Sequence, residues 1–308
     1  MKIRTLFLSP ITIITLGSCS KDDGPSTPTA NTPNITSFTP KLGPVGTMVT
    51  INVGDLTTHE DPSTFSAQWT TDFDGDILII GLNDNLEYNF TINWGDGTVE
   101  EISVSNSSTV EHQYEVQKSY HVAIQGVFPA IYMDNNGSAH KLQSIYKWGD
   151  IVWKSMENAF SGCENMKYNA EDIPNLSNVT NASWMFADCS EFIGGGISDW
   201  DVSSITNMTS MFRDATSFVG AVGSWNTSNV EDMSNMFHGA TSFNRPIGDW
   251  DTSKVTAMMN MFNNASSFNG DLGNWDVSGV TNMSGMFNNS DMSAENYGNT
   301  LIECGELS

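Results

Sequence analysis

The chain has 308 residues, 39% of them hydrophobic, which suggests about two domains with packed cores and excludes a chain that is disordered throughout. Its 36 acidic residues against 12 basic ones leave a formal charge of −24. That sign repels phosphate backbones and excludes nucleic acid as a natural partner.

At the start, Lys2 and Arg4 precede an apolar stretch from Leu6 to Leu16, and Gly17-Ser18-Cys19 follows. So short a run cannot span a bilayer, and a basic flank with small residues before a cysteine fits a cleaved secretion signal. Leu16-Gly17-Ser18-Cys19 resembles the bacterial lipobox. The resemblance implies that residues 1–18 are a removed signal peptide and that Cys19 becomes the lipidated first residue. "SKDDG" after it is similar to the acidic signal that sends some Gram-negative lipoproteins to the outer face of the outer membrane. Residues 19–34 mix Pro, Ser, Thr and Asn without apolar period and are predicted to form a disordered tether.

Residues 35–140 are predicted to be β. "ITSFTPKLGPVGTMVTINV" reads as two short strands around Gly-Pro-Val-Gly, with a likeness to the opening of an immunoglobulin-like IPT/TIG domain. In "YNFTINWGDGTVEEISV", Phe90, Ile92 and Trp94 share one face and Gly95-Asp96-Gly97 turns the chain. His112, Tyr114, Tyr120, Val122 and Ile124 keep the same period of two. Trp-Gly-Asp-Gly-Thr with the later tyrosines resembles the PKD-type β-sandwich, which implies an Ig/PKD-like sandwich here. Asp72, Asp74 and Asp76 have the look of a calcium loop, but Gly75 falls at the fourth place and no glutamate closes the frame. His112 and His121 with Asp96 lack a nucleophile in any recognisable elbow and are read as structural.

Residues 141–302 repeat. Phe160, Phe186, Phe212, Phe237, Phe262 and Phe287 step by 26, 26, 25, 25 and 25, and Trp200, Trp225, Trp250 and Trp275 step by 25. Six units at this period predict stacked coils of leucine-rich-repeat length. Within one unit Val255, Met258, Met261, Phe262 and Ala265 are spaced three, three, one and three, which predicts a short helix capped by Ser253. "NGDLGNWD" predicts a turn and a short strand. The predicted fold class is therefore α+β: a sandwich followed by a leucine-rich-repeat-type solenoid with one short strand and one short helix per coil. Ala182 departs from the repeat, as do "IGGGI" and Gly279, and "NTLIECGELS" offers no evident capping helix; residues 303–308 are read as a tail.

"AFSGCENM" and "W-D-x-S-x-V-T-x-M-x-x-M-F-x-x-A-x-S-F" resemble the BspA-like leucine-rich repeats of bacterial surface lipoproteins, in their 25-residue variant. The resemblance implies a cell-surface protein engaged in adhesion or protein binding, and it brings no catalytic residues. No cofactor, metal cluster or paired-carboxylate site is legible, so the chain is not expected to be an enzyme.

Two readings of the ligand stand side by side. In one the repeats bind protein or matrix ligands; in the other the protein is a surface glycan binder serving polysaccharide uptake. Trp200, Trp225, Trp250 and Trp275 are either core or an exposed sugar-stacking ladder. Asp201, Asp251 and Asp276 beside them either cap turns or line up as a cation column. Cys163 and Cys189 occupy the place of Ala215, Ala240, Ala265 and Ser290, and their register allows either two packed thiols or a disulfide.

Overall fold

The computed structural model describes residues 35–39, 50–53, 61 and 63–303. Cys19, the expected signal peptide and tether, and Cys304 lie outside the described residues. The chain divides into two compact units, Met1–Leu56 and Thr57–Ser308. In the first, β1 (Ile35–Thr39) pairs antiparallel with β2 (Thr50–Val53), in line with the two strands read around Gly-Pro-Val-Gly.

In the second unit, β3 (Phe65–Thr70), β4 (Ile77–Gly81), β5 (Glu87–Asn93), β6 (Val99–Ser105) and β7 (Thr109–Gln113) are followed by β8 (Ser119–Val127), β9 (Leu142–Lys147) and β10 (Lys167–Tyr168). Six of them form one mixed sheet in the order β10-β9-β3-β8-β5-β6, and β4 and β7 pair separately. The period of two sets the inner face. Tyr88, Phe90 and Ile92 of β5 and Tyr120, Val122 and Ile124 of β8 are buried, in one core cluster with Leu78, Ile80 and Val110 of the small sheet. At the Gly-Asp-Gly turn, Gly95 and Gly97 have φ of 81° and 99°, and Trp94 N–H donates to the Thr98 carbonyl at 3.0 Å. A side chain at Gly95 would run into the His121 carbonyl, so that turn needs glycine for space as well as for φ.

The predicted fold class is overturned. Among the described residues the chain is mostly β, and the one α-helix, α1 (Ala294–Glu303), lies after the repeats. An Ig-type sandwich has two antiparallel sheets of several strands each; here one sheet is mixed, with β10 parallel to β9, and the other has two strands. Between Tyr168 and Ala294 there is neither helix nor strand, so the leucine-rich-repeat-type solenoid with a helix and a strand per coil is not what these units form.

They form consecutive turns. Met211, Arg213, Ala215 and Phe218 donate their N–H groups three residues back, to Met208, Ser210, Phe212 and Ala215. The N–H groups between them, on Met208, Ser210, Phe212 and Asp214, reach Asp232, Ser234, Met236 and His238 of the next unit at 2.7–3.0 Å. The three-residue apolar spacing therefore comes from turns, which bring side chains i and i+3 together as a helix does. The helix is prevented by a left-handed residue at two places per unit, such as Ser210 and Asp214 with φ of 55° each.

The core of this region is a set of ring columns. Phe160, Phe186, Phe212, Phe237, Phe262 and Phe287 stack at centroid distances of 5.6–5.8 Å. Phe192, Phe218, Phe243 and Phe268 form a second column at 5.7–5.9 Å. At the start, Trp148 meets Phe65 of β3 at 5.9 Å and Phe160 at 5.9 Å, so sheet and repeats share one core within the unit. Because β9 (Leu142–Lys147) pairs with β3, the sheet continues past the expected limit at residue 140.

At the far end, contrary to the expectation that no helix caps the repeats, α1 covers the last turns. Tyr297 meets the Phe287 ring edge-on at 5.9 Å, and the Asn296 side-chain amide donates to Asn269 O and Oδ1 at 2.8 and 3.0 Å. Ser293 Oγ accepts the Asn296 N–H at 3.2 Å, an N-cap with Glu295 in the first turn. No helix of the described residues is long and apolar enough to cross a membrane.

Candidate functional site

Three residue columns run along one edge of the units, buried at Ser161, Gly162, Ala187, Ser210 and Gly239 and partly or fully exposed at the other positions. The first left-handed position holds Asn158, Trp184, Ser210, Asn235, Asn260 and Gly285, and the second holds Gly162, Asp188, Asp214, Gly239, Asn264 and Asn289. Between them stand Ser161, Ala187, Arg213, His238, Asn263 and Asn288. Asn, Asp and Gly tolerate positive φ, and that is why they recur. The last two units carry an amide face, where Asn289 Nδ2 donates to Asn264 Oδ1 at 2.8 Å and Asn263 Nδ2 to Asn260 Oδ1 at 3.1 Å.

The second to fourth units differ. Trp184 has φ of 60°, a conformation that costs a side-chain-bearing residue roughly 1–2 kcal/mol. The Arg213 guanidinium carbon lies 5.3 Å from the centroid of its ring, and Arg213 Nε donates to Asp214 Oδ2 at 3.1 Å. The Asp214 carboxylate occupies the space that a side chain at Gly239 would need. Burial and the neighbouring Asp214 charge push the Asp188 carboxyl up. Burial pushes the His238 imidazole down, against the attraction of Asp214, and its Nδ1 is buried without a hydrogen-bond partner. Sequence reasoning passed over these residues. The available signal was a Trp, an Arg and a His in columns otherwise made of Asn, Asp, Ser, Ala and Gly.

The residues that the sequence did single out are placed differently. Trp200, Trp225, Trp250 and Trp275 are 2–4% exposed, and Nε1 of the last three donates at 2.9 Å to the carbonyls of Ile197, Val222 and Ile247. All four are core residues, and in the last three the polar atom is satisfied by the neighbouring unit, so the sugar-stacking ladder is not formed by them. Asp201, Asp251 and Asp276 are exposed, and each accepts the N–H two residues on, from Ser203, Ser253 and Ser278, at 2.9–3.1 Å. Hydrogen bonds from those serines hold the three carboxyls below their ordinary range. The column caps turns rather than helices.

Of the two alternatives for the repeat cysteines, the structure has the packed thiols: Cys163 and Cys189 are free and buried. They lie in register, because Gly162 N–H donates to the Ala187 carbonyl, and Cys189 Sγ donates to the Phe160 carbonyl at 3.1 Å. Burial pushes both thiols up, away from the reactive thiolate.

In the sheet region, the acidic loop is organised around a lysine. The buried Lys141 Nζ lies 2.7 Å from Asp76 Oδ1 and donates to the Ile77 carbonyl at 2.9 Å. Asp76 also accepts the Asp72 and Ile77 N–H groups, each at 2.8 Å, while Asp74 accepts that of Gln117 at 2.7 Å. Burial opposes ionisation of Asp76, but the hydrogen bonds and the ammonium outweigh it and hold its carboxyl below the ordinary range. His112 stacks on Trp94 at 4.9 Å and pairs with Asp96 at 2.8 Å, tying the Gly-Asp-Gly turn to β7. His121 is not part of that pair and packs against Tyr146 at 5.2 Å.

Comparison with known proteins bears on the repeats. Residues 154–244 and 181–300 match the model of a family described as Mycoplasma protein of unknown function, DUF285. The repeat turns, the ring columns and the edge columns fall within the matched stretch, and the sheet lies outside it except for β10. No curated protein and no solved structure matches the chain.

Proposed function

We propose that this chain is a non-catalytic, lipid-anchored surface protein of a Gram-negative bacterium, held in the outer membrane through Cys19, whose repeats are BspA-like and bind protein or matrix ligands. The observation that carries the binding reading is the division of labour within each unit. Core columns keep Met, Phe and Trp, while the partly exposed edge changes from a charged, aromatic face to an amide face. A scaffold of constant core with variable outer residues presents different contacts along one extended surface. The similarity to the repeat family over residues 154–300 agrees with this. The glycan-uptake reading drew on a tryptophan ladder, and those tryptophans are buried.

The test is a panel of immobilised extracellular-matrix proteins and polysaccharides probed with the soluble chain from Ser20 onward. Saturable binding to a protein supports the proposal. Binding to polysaccharides alone overturns it in favour of the glycan reading.

A further inference from the structure

Eight of the nine tryptophans are at most 4% exposed, and the ninth, Trp184, is half-buried on the edge of the repeats. Its position is filled by Asn158, Asn235 and Asn260 in other units, residues that adopt a left-handed backbone more readily. Folding by itself thus favours asparagine at 184, and the tryptophan is kept against that preference. A strained aromatic at a surface position points to an interaction.

What surrounds the ring defines the partner. Arg213 lies over it at 5.3 Å and pairs through Nε with Asp214, so the ring and a carboxylate together already hold one guanidinium. Asp188 stands one unit before Asp214 in the same column, and among the described residues Arg213 is the only Lys or Arg placed against the two carboxylates. His238 does not neutralise them, because burial disfavours its charged form. The cluster therefore carries one more negative charge than positive, on a chain with 36 acidic and 12 basic residues. The clefts of about 420, 520 and 590 Å³ are lined by other residues. An aromatic and an arginine on an open edge are the kind of anchor that dominates protein interfaces, whereas small sugars are held in concave sites.

We propose that Trp184, Asp188, Arg213 and Asp214 form a docking site for an arginine- or lysine-bearing segment of a partner protein, in which Trp184 is the anchor and Asp188 pairs with the incoming cation. This rests on the protein-binding reading above and narrows it to one site and one partner chemistry.

The test uses the soluble chain from Ser20 onward and a fluorescent peptide of four Arg-Gly-Ser repeats, read by anisotropy, with a Glu-Gly-Ser peptide and a neutral oligosaccharide as alternative probes. The arginine peptide is expected to bind, with affinity falling at least about tenfold in Trp184→Asn and in Asp188→Asn. Asp251→Asn, which removes the same charge from an exposed turn elsewhere, should leave affinity within about twofold. Trp184→Asn should also raise Tm, by about 2–4 °C. The site is overturned if the arginine peptide does not bind, if Asp188→Asn and Asp251→Asn weaken it equally, if Trp184→Asn lowers Tm and leaves binding intact, or if only the oligosaccharide competes for Trp184. A matrix-protein ligand whose binding survives Trp184→Asn would leave the general reading standing and remove this site alone.

Discussion

Phe237 and Phe243, six residues apart in one unit, stack with ring centroids 3.9 Å apart and planes inclined by 6°. Phe237 also lies between Phe212 and Phe262, at 5.6 and 5.7 Å. It therefore joins the two ring columns and three successive units at one point. Phe237→Ala should destabilise the chain by about 3–5 kcal/mol, the usual cost of emptying an aromatic core site. Urea denaturation of the soluble chain measures this; a loss below about 1 kcal/mol would show that the ring columns contribute little beyond the backbone ladder.

The acidic loop should behave as a buried ion pair. Lys141→Met leaves Asp76 without its cation and is expected to cost about 3–5 kcal/mol. Because the Asp76 carboxyl is held below its ordinary range in the folded chain, its contribution is full above the unfolded pKa of about 3.9 and is lost as pH falls through the lower folded value. Acid denaturation followed by circular dichroism should show this limb in the parent and lack it in Asp76→Asn. Millimolar calcium should leave the parent Tm unchanged, since an ammonium holds the carboxylate that a calcium ion would take.

The two repeat cysteines offer a direct count. In a Cys19→Ser, Cys304→Ser background, the folded chain should release no chromophore from a thiol reagent at pH 8, because burial raises both pKa values and blocks access. Unfolding in guanidinium should then expose two thiols per chain. None after unfolding would mean that Cys163 and Cys189 are bonded.

Cys19→Ser tests the proposed anchor. Without the lipidated cysteine the protein should leave the outer-membrane fraction on carbonate washing, or accumulate unprocessed with its signal. Retention of a processed variant in the membrane would place the anchor elsewhere.

Much of this protein could be read from the order of its residues. Strand alternation located β5 and β8 and put Phe90, Ile92, Tyr120 and Val122 inside, because a period of two admits one buried face. The step of 25 or 26 residues identified the ring columns and placed Cys163 and Cys189 in register, since equivalent positions of stacked units meet. The local conformation of a unit was not decided in that way. A three-residue apolar spacing suits a helix and a run of turns equally well. The Asn, Asp and Gly residues recurring four apart, as at Asn260 and Asn264, were the sign of two left-handed breaks per unit.

Only the tertiary structure decided what meets across long separations. Lys141 lies 65 residues from Asp76 in the chain and is the cation of a loop that otherwise looks made for a metal. Trp148 packs on Phe65 of the sheet, and α1 closes the last turns through Asn269 and Phe287. The tryptophan columns and Trp184 are the same residue type on one repeat, yet the first are core and the last is on the edge. Their fate depends on which side of the turn ladder each Cβ leaves, and that is fixed only when the turns are joined to the next unit by hydrogen bonds.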